Sequence, residues 1–164
     1  MWRVLVSAPY FIPVIEEYRQ RLAKEDVELV PAKVNERLSE AELIEVIGDI
    51  DGMICGDDRI TKRVLDAAPR LKVISKWGTG IDSIDKAYAN QQGVMVGNTP
   101  NAFTLPVADT VMGYMLAFAR RQPWMDKAMK SGEWKKISGR SLAESTLGVI
   151  GVGNIGKAVI RRAR

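Results

Sequence analysis

From Arg3 to Val96, short apolar runs alternate with stretches in which apolar residues recur at helical spacing, a pattern that predicts repeated βα units and a parallel sheet flanked by helices. Val4-Leu5-Val6 reads as a first buried strand. A helical face of Val14, Ile15, Tyr18 and Leu22 follows, opposed by Glu16, Glu17, Arg19 and Arg21. Val27 to Val30 predicts the second strand. Ser39 and Glu42 have the spacing of a capping box, with Leu38 and Leu43 placed as its hydrophobic staple, so a helix should begin near Glu40 and end near Gly48. Met53-Ile54-Cys55 predicts the third strand, Thr61 the cap of the next helix, Pro69 its terminator and Leu71 to Ser75 the fourth strand. Asp82 or Ser83 should cap a helix running to Gln91, closed by Gly93 ahead of a fifth strand at Val94-Met95-Val96. Five strands in this alternation predict the α/β class: a flavodoxin-like, doubly wound parallel sheet, for which the common strand order is 2-1-3-4-5.

The pattern changes after Gly97-Asn98-Thr99-Pro100. Thr104 is placed to cap a helix from Leu105 to Arg120, with Pro106 tolerated in its first turn. Val107, Val111, Tyr114, Met115 and Phe118 trace one apolar face, and Ala108, Met112, Leu116 and Ala119 make the adjacent face apolar too, so a single neighbour cannot cover both. That pattern fits a helix between two domains and, equally, a helix inside one core; either way it predicts burial against the sheet domain or a second copy. Trp124 to Trp134 is amphipathic. Thr146-Leu147-Gly148-Val149-Ile150 then predicts a strand that runs into Gly151, Gly153 and Gly156, with a helix continuing from Asn154 to Arg164. The G-x-G-x-x-G spacing is chemically specific in this setting. The first glycine permits a tight turn, the second lets backbone approach a pyrophosphate, and the third lets strand and helix pack closely, while the helix N-terminus favours the anion. An ordinary strand-turn-helix corner is the competing reading of the same glycines.

Composition narrows the chemistry. With 164 residues, 46% hydrophobic and 27% charged, the chain suffices for one full α/β domain and part of another, which places a boundary between residues 1–99 and 100–164. A net charge of +4, with acids scattered among the bases, gives no nucleic-acid surface. Cys55 is the single cysteine and reads as a small core residue, so no internal disulfide exists. Histidine is absent, which removes an imidazole base and, with one cysteine, any zinc cluster. No signal peptide and no apolar segment of ~18 residues appears, predicting a cytoplasmic protein without a membrane partner.

The chain resembles the D-isomer-specific 2-hydroxyacid dehydrogenases of the phosphoglycerate dehydrogenase and glyoxylate/hydroxypyruvate reductase group. The resemblance rests on Leu71-Lys72-Val73-Ile74-Ser75-Lys76-Trp77-Gly78-Thr79-Gly80-Ile81-Asp82-Ser83-Ile84-Asp85, on Gly97 to Ala102, on Val107-Ala108-Asp109 and on Leu147 to Gly156, in the family's order and spacing. It implies a substrate-binding domain over residues 1–99, then linker helices and the first βα unit of a Rossmann domain over 100–164. It also implies that the backbone amides of Thr79 and Gly80 hold a substrate carboxylate. For the cofactor it implies Gly151, Gly153, Asn154, Ile155 and Gly156 at the pyrophosphate, and Thr79 and Val107 toward the nicotinamide. The reaction implied is hydride transfer between NAD or NADP and a 2-hydroxy or 2-oxo acid.

The catalytic Arg, Glu or Asp and His of the family have no counterpart in this chain, which as a truncated N-terminal portion is expected to be inactive and to bind cofactor weakly or not at all. Where phosphoglycerate dehydrogenases often carry an Arg after the third strand, this chain has Gly56 followed by Asp57 and Asp58, an acidic pair expected to repel a second substrate anion and to favour a small 2-oxo acid. The sequence leaves open NAD versus NADP and the oligomeric state, a homodimer included. It also leaves open a non-catalytic flavodoxin-like or co-repressor-like binding module, and a fragment of another dehydrogenase of this architecture.

Overall fold

The computed structural model describes all residues, 1–164, and divides into two compact units, Met1–Pro100 and Asn101–Arg164. In the first unit β1 (Trp2–Val6), β2 (Val27–Pro31), β3 (Gly52–Cys55), β4 (Val73–Lys76) and β5 (Met95–Gly97) form one sheet of order β2-β1-β3-β4-β5. Every pairing is parallel, with Val4 opposite both Leu29 and Gly52. This is the doubly wound topology the alternation predicts. Helices α1 (Ile15–Ala23), α2 (Glu40–Val46), α3 (Lys62–Asp66) and α4 (Lys86–Gln91) supply the crossovers.

Each face of the sheet has its own core, because alternate strand residues point to opposite faces. Leu5, Met53, Cys55 and Ile74 pack with Leu43, Ile47, Val64 and Ala89 on one side. Val6 and Leu29 pack with Phe11 and Ile15 on the other. Entry into α2 follows the predicted box: the Glu42 amide donates to Ser39 Oγ at 3.4 Å, the Ser39 amide donates to Glu42 Oε2 at 2.8 Å, and both staple residues, Leu38 and Leu43, are buried.

Several local expectations are corrected. Neither Asp82 nor Ser83 caps α4. Asp85 does, its Oδ1 accepting from the Tyr88 amide at 3.0 Å, because Ile84 is bridged to Ile60: the Ile60 amide donates to Ser83 O and the Asp85 amide to Ile60 O, both at 2.9 Å. Thr61 precedes α3 without a capping bond; its hydroxyl donates instead to Glu40 Oε2 at 2.5 Å.

The second unit comprises α5 (Thr104–Ala119), α6 (Gln122–Lys130) and α7 (Asn154–Ala163). Thr104 is the first residue of α5 rather than its cap, since Asn101 turns the chain at φ 64° and accepts from the Thr104 amide at 3.1 Å. α5 meets α7 through buried Ala108, Ala158 and Val159, and Arg162 Nε donates to Asp109 Oδ1 at 2.6 Å. Residues 146–150 form no strand. Strand hydrogen bonds need a neighbouring strand, and the second unit has none to offer, so Ile150 stands fully in solvent. The apolar faces of α5 are only partly covered: Tyr114 and Phe118 remain about two-thirds exposed. No helix of the chain is long and apolar enough to cross a membrane.

Candidate functional site

In the first unit the chemistry gathers at the carboxyl ends of β1, β3 and β4, where an open α/β sheet presents loops rather than side-chain ladders. β4 ends at Lys76 and passes directly into the loop Trp77-Gly78-Thr79-Gly80. Trp77 packs its ring on Phe11, centroids 5.0 Å apart, which ties the loop to the β1–α1 connection. On its other side the loop is pinned to the segment after β5. Gly78 O accepts from the Thr99 amide at 2.9 Å, Thr79 O accepts from Asn98 Nδ2 at 2.6 Å, and Thr79 Oγ1 donates to Thr99 O at 3.2 Å. The carbonyls of Gly78 and Thr79 are thereby committed. The amides of Thr79 and Gly80 donate to no protein acceptor, and both residues are exposed. A Cβ on Gly80 would meet nothing nearer than the Asp82 carboxylate, at 3.6 Å.

Beneath this loop lies a buried polar cluster that the sequence pattern did not single out as a unit. Asp58 is completely buried and its carboxylate accepts three hydrogen bonds: from Ser7 Oγ at 2.6 Å, from the Leu38 amide at 2.6 Å and from the Gly56 amide at 3.0 Å. It thus ties together the end of β1, the turn before α2 and the end of β3. Lys76, 4% exposed, donates from Nζ to Gly56 O at 2.5 Å and to the carboxylate of Asp57, which is itself 80% exposed. The acidic pair therefore does not face outward as two free charges: one carboxylate is structural and the other is matched by an ammonium. Burial and the neighbouring Asp58 charge push the Cys55 thiol up to about 12, so this cysteine is a neutral core group. Gly56 stands where a side chain would press on Pro9, 3.0 Å from its Cδ. A Ser after a buried strand and a Lys as the last residue of another were the available signals for this cluster, but only the sheet order brings them to one edge.

In the second unit Gly151 turns the chain at φ 86°, a conformation that disfavours any Cβ. Gly156 packs against that turn so closely that a Cβ would lie 2.4 Å from Gly151 O, whereas a Cβ on Gly153 would stand in open space. Gly153 caps α7 in extended conformation without a side-chain bond, and its carbonyl accepts the first helical bond, from the Lys157 amide at 2.9 Å. The amides of Asn154, Ile155 and Gly156 thus open the helix without intrahelical partners. Asn154 donates its side-chain amide to Asn101 Oδ1, fixing its orientation. Val107 lies in the first turn of α5, 37% exposed. Thr79 and Gly80 belong to the first unit, Val107 and the glycine turn to the second.

A flavodoxin-like unit followed in the same chain by a glycine turn opening a helix is the layout of two-unit α/β dehydrogenases. The chain belongs to the D-isomer-specific 2-hydroxyacid dehydrogenase family: residues 4–159 match the family's catalytic domain. It is similar to a D-3-phosphoglycerate dehydrogenase of Methanocaldococcus jannaschii, 42% identical over 130 residues, covering 77% of this chain and 25% of that protein. It is 35% identical over 160 residues to the glyoxylate reductase of Thermococcus onnurineus, covering 92% of this chain and 48% of the relative. Among solved structures it is similar to the NAD+-bound 3-phosphoglycerate dehydrogenase of Entamoeba histolytica, with a TM-score of 0.74 and 29% identity over 99% of this chain and 50% of that one. The chain spans between a quarter and a half of the length of these relatives.

Proposed function

We propose that this chain contributes the substrate-carboxylate loop and the pyrophosphate turn of an NAD(P)-dependent D-2-hydroxyacid dehydrogenase, with residues 1–99 as the substrate-binding unit and 100–164 as the start of the dinucleotide-binding unit. The observation that carries this reading is the pair of unbonded amides at Thr79 and Gly80, on an exposed loop whose Gly78 and Thr79 carbonyls are held by Thr99 and Asn98. Two adjacent amides held without an acceptor favour an anion by oriented dipoles alone. A 2-hydroxy or 2-oxo acid would accept from both through its carboxylate, and the contacts to Phe11, Asn98 and Thr99 would keep that geometry from relaxing.

The second unit supports the cofactor half. The open side of Gly153, the free amides at the start of α7 and the positive end of its dipole fit a pyrophosphate, while Gly151 and Gly156 allow the turn to close. NAD or NADP, as in the Entamoeba relative's bound NAD+, would supply the redox chemistry. The chain's residues bind and orient; none is a histidine to move the proton at the substrate oxygen. Residues 1–164 alone are accordingly expected to show no turnover of glyoxylate, hydroxypyruvate or phosphoglycerate, and cofactor affinity weaker than micromolar by calorimetry.

Titration of the 15N-labelled chain with glycolate, the smallest 2-hydroxy acid, tests the loop directly. Saturable shifts of the Thr79 and Gly80 amides are expected. A titration that leaves both resonances in place overturns the reading.

A further inference from the structure

We propose that Asp57 is a specificity-determining residue: its carboxylate occupies the Lys76 ammonium as an internal stand-in for a second substrate anion, so that the site accepts 2-hydroxy and 2-oxo acids with a single negative charge and discriminates against those with two. The inference rests on the carboxylate-loop reading of the preceding section and adds what the neighbouring charge selects.

An ammonium that is 4% exposed, as that of Lys76 is, must be matched by an acceptor with opposite charge. Two acids lie within reach along the chain, and the structure separates their roles. Asp58 is wholly buried and saturated by Ser7, Leu38 and Gly56, with no bond to Lys76. Asp57 makes the pairing instead, although 80% of its side chain is in solvent. A carboxylate exposed to that extent on a nearly buried ammonium lies on the ammonium's solvent side. Any second anion seeking that charge must displace it.

Position connects the pair to the substrate loop. Lys76 precedes Thr79 by three residues, and its stem runs under Gly78, where a Cβ would sit 3.3 Å from Lys76 Cε. The buried cation under this edge of the loop is therefore already neutralised from within the protein. A monoanionic acid loses nothing by this arrangement, since the Thr79 and Gly80 amides are uncharged donors. A dianionic acid brings its second charge to an occupied ammonium and beside the Asp57 carboxylate.

The test compares glycolate with D-malate, which adds a second carboxylate, by 15N titration of the 164-residue chain and three variants. Asp57→Ala opens the solvent side of the ammonium, which keeps its bond to Gly56 O, and the dispersion of its 15N spectrum checks that the fold is retained. It is expected to raise malate affinity at least tenfold while changing glycolate affinity less than twofold. Asp57→Glu, which keeps the charge, should leave the ratio of the two affinities within twofold of the native one. Lys76→Met in the Asp57→Ala background keeps the buried stem and should abolish the malate gain.

Equal changes for both acids in Asp57→Ala, or a malate gain that survives Lys76→Met, overturn the inference while glycolate shifts at Thr79 and Gly80 leave the loop reading intact. A malate response that requires Lys76 but leaves the Thr79 and Gly80 amides unmoved overturns the loop reading alone. Silence toward both acids in all four proteins overturns both.

Discussion

The two units use the same kinds of residues to different effect. In the first, five strands pair edge to edge and each face is covered by helices, so Leu5, Leu43, Met53 and Ile74 are sealed from water. In the second, a 16-residue helix of mostly apolar residues is met by α7 across three buried side chains, and Leu116, Phe118 and Trp124 remain substantially exposed. A cavity of about 1160 Å³ opens among Tyr114, Phe118, Arg121, Leu147 and Arg162. The difference is one of partners rather than propensity. A parallel strand is stable only between neighbours and under helices, and residues 146–150, mostly apolar and ending in Val149 and Ile150, stay irregular without them.

The sharpest break of this comparison is amide exchange. β1 and β3 should exchange through global unfolding, whereas residues 146–150 should exchange near the rate of an unstructured chain, a contrast of about a thousandfold or more. Comparable protection in both segments would erase the distinction.

Asp58→Ala comes next. It removes the acceptor from Ser7, Leu38 and Gly56 at once, and the first unit should lose about 3 kcal/mol or more in urea denaturation. A loss below about 1 kcal/mol would show that the buried carboxylate is not what ties these three segments together.

Gly156→Ala probes the second unit in the same way. A methyl group placed 2.4 Å from Gly151 O forces the turn or the helix to shift, and α7 amide protection should fall by the equivalent of about 1–3 kcal/mol with β1 unaffected.

The smallest effect concerns the start of α2. Ser39→Ala should lower stability by about 1 kcal/mol. It should also blunt the acid response there. Glu42 is held below its ordinary value by the Ser39 hydroxyl and amide, and Asp51 by the Arg3 amide and Arg70. Both carboxyls are lowered in the folded state, so their contribution is fully present above the ordinary values of 4.5 and 3.8 and is lost as the pH falls through the lowered ones. Urea midpoints from about pH 6 to about pH 3 should fall less steeply for Ser39→Ala than for the native chain.

Much of the first unit was legible in the residues because its signals are local. The alternation of apolar runs and amphipathic stretches set the βα order, and Ser39 with Glu42 announced the start of α2 to the residue. The cap of α4 was misplaced because the competing influence, the bridge from Ile60 to Ile84, joins positions 24 apart in sequence. The same limit applied to the site. Gly151, Gly153 and Gly156 declared their spacing, and the structure adds that they serve as a left-handed turn, an open flank and a close contact. For Asp57 and Asp58 the sequence offered only an acidic pair.

By itself, then, the sequence determined the succession of elements, the parallel sheet and the glycine turn, because hydrophobic period, capping chemistry and the lack of a Cβ act within a few residues. Tertiary structure alone decided which of two adjacent aspartates is buried and which guards a lysine, and whether an apolar run becomes a strand. The aspartates' roles depend on neighbours that arrive from β1, β4 and the turn before α2, and the apolar run lacks a strand beside it, since a charge or a strand takes its meaning from what stands across from it.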